Sequence, residues 1–428
     1  MESKGSSQYL PSVVIRCIPK RFLRLFIGAL ILTCVLVGHL LYRLTVPTYH
    51  LPFQPPVLDY TVHDVPVSQY REPAPGELQP FPPTPQLASL ADSEPRGRAP
   101  WLAAVICPAD DAERRMMIRT TWMRLYRDLP MDTRFVVSNP GPEWTEVIRT
   151  ENRTFGDMIV LDHLPENDIT ANTVKTLEFY KWLITHNEKY EFVTKMDTDL
   201  FLNARAFWSQ YLEPRLSNDT GSLKATVDMT MVGQLYYSRP HDLVFPHGSM
   251  YTATWDVLET LVTLQQAHKV IAGEDMANAL LLMKGHQEIN VVNMLGTEKF
   301  DFEAADTRGD GSPWARDHTH PNAAQHALVG GGAIAIHQLK DRKMYLKVAD
   351  CFDEDGIKEM PPPTSQRYQG SSLSLGWHDF WYLFGMTAHY NSQLQNIPSV
   401  YWTNHHGDWV CDGIWNLGRQ DPRQMGQL

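Results

Sequence analysis

Tyr190-Glu-Phe-Val-Thr-Lys-Met196 runs without a break into Asp197-Thr198-Asp199. The first seven residues are rich in aromatic and β-branched side chains and read as a buried strand. The two aspartates that follow stand where that strand must end. Upstream, Trp101-Leu-Ala-Ala-Val-Ile106, Arg134-Phe-Val-Val137 and Asp157-Met-Ile-Val-Leu161 are further strand candidates. Helical spacing separates them: Met117, Ile118, Trp122 and Leu125 recur within Asp110 to Arg127, and Val174, Leu177, Phe179, Leu183 and Ile184 within Thr173 to Asn187. Strands alternating with helices predict an α/β body around a mainly parallel sheet. In such sheets ligands bind beyond the carboxyl ends of the strands, which is where Asp197 and Asp199 fall.

Two aspartates one residue apart can aim oxygens at a hard divalent cation, Mg2+ or Mn2+, with a diphosphate supplying further ligands. About one D-x-D triplet is expected by chance in such a chain. Asp353-Glu354-Asp355 is a second one, with no strand before it, and reads as a solvated turn. A second acidic feature is Gly273-Glu274-Asp275, opening an apolar segment (Met276 to Lys284) expected to be a helix. Carboxylates in a first helical turn suit the helix dipole, which would keep Asp275 ionised and able to act as a general base. Arg115 and Arg119 lie four apart on one helix face; they can reach a diphosphate or pair with Asp157 or Asp162. Trp122 and Trp182 are expected in the core, and Asn203 as a cap.

The chain has 428 residues, 43% hydrophobic and 20% charged, with a formal net charge of −11. That excludes a disordered chain, and the acidic balance argues against a nucleic-acid binder. Five cysteines, no two within four residues, exclude a disulfide-dense scaffold and CxxC modules. Residues 1–24 carry a net +4 and precede Leu25 to Tyr42, 18 residues without a charge. At ~1.5 Å per residue that run spans about 27 Å, enough for a thin bilayer core. A cleaved signal peptide is the alternative, but its apolar core is shorter and no small-x-small site follows. Basic residues before the span predict a cytosolic N-terminus and a lumenal body, a single-pass type II layout. Residues 43–100 hold 13 of the 30 prolines and read as a stalk, with Phe53, Tyr60 or Phe81 able to pack back on the body. The expected organisation is thus 1–24 tail, 25–42 anchor, 43–98 stem, 99–345 catalytic domain and 346–428 an aromatic-rich extension packed on it. The sequons Asn152-Arg-Thr154 and Asn218-Asp-Thr220 agree with a lumenal body. Cys351–Cys411 is the expected disulfide among the three cysteines on that side.

Six segments in order then resemble one family. Arg115-Met-Met-Ile-Arg119-Thr-Thr121-Trp122 is similar to R-x-x-I-R-x-T-W, and Phe155-Gly-Asp157-Met-Ile-Val-Leu-Asp162 to an aromatic-G-D-(I/M)-x-x-x-D segment. Asn172-Thr-Val-Lys175-Thr176 with Trp182 resembles N-L-T-x-K-T…W, and Lys195-Met-Asp197-Thr-Asp199-Leu-Phe201-Leu-Asn203 resembles K-x-D-D-D-x-F-x-N. His247-Gly-Ser-Met-Tyr251 resembles a G-x-G-Y turn, and Gly273-Glu-Asp275-Met an E-D-V element. These are the marks of the β-1,3-galactosyltransferase family, glycosyltransferase family 31, fungal-type members included. The resemblance implies a GT-A fold and an inverting, Mn2+- or Mg2+-dependent hexose transfer from a UDP-sugar to a glycan hydroxyl, galactose first. UDP-GlcNAc, UDP-GalNAc and UDP-galactofuranose remain alternative donors. It implies Asp199 as the main metal ligand, Asp197 near the ribose and metal, and Asp275 as the base; Lys195, Arg115 and Arg119 are further candidates for binding the nucleotide. His337, in Ala335-Ile-His337-Gln-Leu-Lys340, falls where the family often carries a metal- or diphosphate-contacting histidine; Asp317-His-Thr-His320 competes with it. Two departures stand out: Thr198 replaces the central Asp, and the G-x-G-Y turn lacks its second glycine. The layout implies a Golgi membrane enzyme, with other Golgi glycosyltransferases as possible partners. The rivals are a metal-free hydrolase using Asp199 and Asp275, and an inactive glycan-binding or scaffold relative.

Overall fold

The computed structural model describes residues 20–45, 70–83, 99–218, 221–315, 326–362, 393–419 and 421–422. Asp317 to His320 and Trp377, Phe380, Trp381, Tyr382 and Phe384 lie outside these residues, as do the basic tail before residue 20 and most of the stem.

The strands in chain order are β1 Trp101–Ile106, β2 Met131–Asn139, β3 Met158–Pro165, β4 Phe192–Asp197, β5 Phe201–Leu202, β6 Leu216–Ser217, β7 Lys224–Ala225, β8 Thr230–Ser238 and β9 Leu243–Thr254. They continue with β10 Ile289–Asn293, β11 Lys299–Asp301, β12 Ala335–His337, β13 Phe352–Asp353, β14 Gly356–Ile357, β15 Trp402–His405, β16 Asp408–Cys411 and β17 Trp415–Asn416. Ten of them form one sheet in the order β15-β16-β17-β10-β8-β9-β4-β1-β2-β3. The expected parallel core is there, β4–β1, β1–β2 and β2–β3, with β10 parallel to β8 and β17. The sheet as a whole is mixed rather than mainly parallel. β8 and β9 are joined by a short turn, which only an antiparallel pair allows, and β9 then pairs antiparallel with β4. A separate three-stranded sheet, β11-β12-β5, stands beside the end of β4.

Strand alternation divides the core in two. Trp101, Ala103 and Val105 of β1 and Phe192 and Met196 of β4 join one cluster, while Leu102, Ala104 and Val193 join the other. Successive strand residues face opposite sides, so the clusters lie on the two faces of the sheet. The first is covered by the helices Ala112–Thr120, Gly141–Phe155 and Arg342–Ala349, the second by Lys175–Thr185, Trp255–His268 and Glu274–Gly285. The helix expected over Asp110 to Arg127 is two, Ala112–Thr120 and Trp122–Leu125. Thr121 breaks it, its hydroxyl bonded back to the Met117 carbonyl.

The expected Cys351–Cys411 disulfide is absent: both thiols are free. Cys351 lies in the first cluster and Cys411 in the second, with the sheet between them. The boundary expected at 345/346 falls inside the helix Arg342–Ala349, and β15 to β17 continue the same sheet. Trp402 and Trp415 are fully buried there, the Trp415 indole donating to the Val244 carbonyl at 2.9 Å. Residues 70–83 of the stem lie on the body: Phe81 and Tyr70 pack against the two cores, and Asn139 donates to the Gln79 carbonyl at 2.8 Å.

The helix Lys20–Thr45 contains the apolar run 25–42. Its side chains are described for residues 27–41, and Ile27, Leu30, Ile31, Leu36 and Leu40 are exposed. Among the described residues no helix is long and apolar enough to cross a membrane.

Candidate active site

β4 delivers Asp197 to the mouth of a cleft of about 670 Å3, whose lining includes Ile106 at the end of β1 and Asp199, Gly248, Glu274, Asp275 and His337. The short sheet brings in the third potential ligand. β12 pairs antiparallel with β5, just after the aspartates, and parallel with β11, placing His337 in register with Asp301. The Leu339 N–H donates to the Asp199 carbonyl at 2.9 Å, fastening the exit of β12 to the acidic turn. One ligand atom each from Asp197, Asp199 and His337 lie within 4.8 Å of one another. His337 Nε2 is 3.2 Å from Asp199 Oδ1 and 3.9 Å from Asp197 Oδ2, and its Nδ1 is 2.6 Å from Asp301 Oδ1.

Two carboxylates and an imidazole fit a divalent cation that accepts oxygen and nitrogen donors. The far nitrogen of the imidazole engages a carboxylate, the arrangement that fixes ring orientation in metal-ligating histidines. Burial disfavours the imidazolium, but the hydrogen bonds to Asp199 and Asp301 outweigh it and raise His337 to about 9. Asp199 shifts downward: burial opposes ionisation, and the His337 contact overcomes it. The cluster is built to hold positive charge.

Asp275 enters from the N-terminal turn of Glu274–Gly285. Burial raises its carboxyl, with Lys195 and the backbone N–H groups at the helix start only partly opposing it. A carboxylate moved upward in this way is closer to the working range of a general base. Glu274 is also raised by burial. A Cβ at Gly248 would stand 3.0 Å from an oxygen of each of these side chains, so this stretch of β9, where its pairing with β8 is irregular, suits glycine for close approach.

Lys195 lines the same cleft, yet its ammonium is taken up by protein: Asp197 Oδ1 at 2.9 Å, Glu274 Oε1 at 2.5 Å and the Gly248 carbonyl at 2.5 Å. An ammonium has three donors, and no fourth remains for a nucleotide. Arg115 and Arg119 are not brought to the cleft. Arg115 is fully buried, bonded to Glu151 and the Pro108 and Ala109 carbonyls. Arg119 is held by Asp157 and Glu151. Both tie the helix Ala112–Thr120 to Gly141–Phe155. Of that helix it is Arg114 that lines the cleft, with Lys340 from the segment after β12.

Glu274, Asp301, Arg114 and Lys340 were not singled out by sequence reasoning. Glu274 had a signal, its place beside Asp275. Asp301 had none, because its meaning comes from a strand pairing 36 residues away.

Residues 113–284 match the galactosyltransferase family model, a span that contains Asp197, Asp199 and Asp275 but not His337. Beta-1,3-galactosyltransferase 1 of Mus musculus and of Homo sapiens are each 27% identical over 201 residues, 43% of this chain and 60% of theirs. UDP-GalNAc:beta-1,3-N-acetylgalactosaminyltransferase 2 of Danio rerio is 27% identical over 138 residues, 31% of this chain and 28% of its own. The chain therefore matches less than two thirds of the length of these relatives. Among solved structures, the galactosyltransferase LgtC with donor and acceptor sugar analogs is 10% identical at a TM-score of 0.32, over 61% of this chain and 97% of that one. Mouse xyloside xylosyltransferase 1 is 10% identical at 0.31, over 56% and 98%. Those superpositions are too loose to define the fold, which rests on the sheet itself. Over this span the chain is similar to glycosyltransferases. The likeness to the galactosyltransferase family is confined to residues 113–284, about two fifths of the chain.

Proposed function

We propose that this protein transfers a hexose, galactose in the first instance, from a UDP-sugar to a glycan hydroxyl with inversion, in a GT-A-type domain that uses Mn2+ or a similar cation. UDP-GlcNAc, UDP-GalNAc and UDP-galactofuranose are the other donors the site could serve. The observation that carries this is one cleft holding both the Asp197–Asp199–His337 cluster and the Asp275 carboxylate. Asp197, Asp199 and His337 would hold the cation, which neutralises charge on the departing diphosphate when bound. Asp275 takes the proton of the acceptor hydroxyl as its oxygen bonds to the anomeric carbon and the bond from that carbon to UDP breaks.

The test is UDP release by the full-length chain in detergent, with separate UDP-sugars, mixed glycan acceptors and Mn2+, with and without EDTA. Release from one UDP-sugar, lost with EDTA and reduced at least about 100-fold in Asp199→Ala, is expected. Silence across all donors from folded protein would instead favour a glycan-binding relative.

The location follows the same logic. The anchor rests on the sequence, where basic residues precede the uncharged run 25–42, and not on a described membrane-crossing helix; with the apolar side chains exposed over 27–41 it suits a single-pass type II anchor in the Golgi membrane with the body lumenal. The chain should stay with membranes through an alkaline carbonate wash; recovery in the supernatant would refute the anchor.

A further inference from the structure

Strand residues two apart face the same side, so Lys195 and Asp197 at the end of β4 project together. The Lys195 ammonium takes Asp197 Oδ1 at 2.9 Å, leaving Oδ2 as the oxygen that faces His337 Nε2 at 3.9 Å. Its second contact is Glu274 Oε1, whose partner Oε2 accepts from the Thr176 hydroxyl at 2.6 Å. The Glu274 N–H donates to the Asn172 carbonyl at 2.9 Å, so the first residue of the helix is held from backbone and side chain alike. The third contact, the Gly248 carbonyl, belongs to the stretch of β9 against which Asp275 packs. A single ammonium, on a side chain only 3% exposed, thus joins β4, β9 and the Glu274–Gly285 helix.

We infer that Lys195 is a positioning residue that locks the metal-side carboxylate Asp197 to the helix bearing Asp275, so that cation binding and the placement of the base depend on one contact. Lys195 has this role only if the cleft is the metal-dependent transfer site proposed above, on which the inference rests. It touches neither sugar nor nucleotide; it acts through Asp197 and Glu274. Glu274 in turn affects the cation at a distance, because its route to the cluster runs through the Lys195 ammonium.

The test uses the full-length chain in detergent and two readouts. Mn2+ affinity is measured without nucleotide, from the electron-spin resonance signal of free Mn2+, and kcat and KM for UDP release are measured at saturating Mn2+. Lys195→Met should bind Mn2+ about 10-fold more weakly, within the range seen when groups that orient metal ligands are lost. Its kcat should fall about 100-fold with donor KM changed less than about threefold, as for a reacting group held slightly out of place. Glu274→Gln preserves shape and should weaken Mn2+ binding about fivefold although Glu274 is not in the ligand cluster. The double variant should be no worse than Lys195→Met alone, because both changes act through one contact. Mn2+ affinity within twofold of wild type in Glu274→Gln overturns the inference, and so do single effects that multiply in the double variant. Should Lys195→Met fail to fold, the Glu274→Gln affinity alone decides. If the unaltered chain binds Mn2+ but releases UDP from no UDP-sugar, the transfer proposal fails, while the Mn2+ series still reads the lock.

Discussion

At the residue scale, the informative groups are those whose neighbours change what they do. Lys195 sits in the cleft yet has no donor left for a ligand, while Asp301, in an unremarked three-residue strand, holds the imidazole of a ligand candidate. Asp301→Asn keeps the shape but weakens the acceptor for His337 Nδ1. Mn2+ affinity is expected to drop about 10- to 100-fold, with little change in melting temperature. A calorimetric titration in which Asp301→Asn binds Mn2+ like the wild type would remove Asp301 from the site. Thr198, the departure from the acidic triplet, sits between two aspartates that keep their places in the cluster. Asn203 caps the helix that follows β5, its side chain accepting from the Ala206 N–H at 3.2 Å, as its position after the acidic turn suggested.

At the element scale, the strands and helices around the site were legible where periodicity ran long. β1 occupies the six residues read for it, and β4 ends on Asp197. β2 and β3 extend beyond their apolar centres, Met131–Asn139 and Met158–Pro165, because pairing along an established parallel neighbour does not require apolar side chains. The helix Lys175–Thr185 is shorter than the periodic stretch. β5, β11 and β12 carry no period of their own at two or three residues each, and pairing alone makes them strands. Arg115 and Arg119 show the same limit. Their spacing put them on one helix face, but only the packed helix Gly141–Phe155 decided that this face meets Glu151 and Asp157 rather than a phosphate. Removing one partner of such a buried set costs about 3–5 kcal/mol, which makes these arginines anchors of the fold.

At the scale of the whole molecule, the ten-stranded sheet unites the segment similar to the galactosyltransferase family, residues 113–284, with the C-terminal strands. β17 joins β10 through only two residue pairs, Ile289 with Trp415 and Asn290 with Asn416. Beside that seam Asp412 is fully buried, and neither carboxylate oxygen completes a hydrogen bond among the described residues. Burial raises its carboxyl to about 7, the Asp242 charge adding to the rise and backbone near Val244 opposing it. The unfolded chain holds this group near its ordinary value of about 3.9. Between those values the folded state binds the extra proton, so stability falls as pH rises from about 4 to about 7 and the full penalty remains above. Asp412→Asn should therefore stabilise the protein at pH 8 by on the order of 2–4 kcal/mol and have little effect at pH 4. Denaturant unfolding at both pH values checks it; a gain independent of pH would show that Asp412 is not neutral in the fold.

From the sequence by itself came the α/β alternation, the family motifs, the acidic pair at a strand end and the Asp275 helix start, because each is local and periodic or short-range in register. Tertiary structure alone decided that His337 reaches the pair through β12, that Asp301 backs it and that Lys195 is locked. It also decided that Arg115 and Arg119 serve the scaffold and that Cys351 and Cys411 lie on opposite faces of the sheet. The physical reason is common to all of these. Each depends on which distant segments become neighbours when the sheet forms, and a side chain's donors and charge acquire their role only from the partners that arrive there.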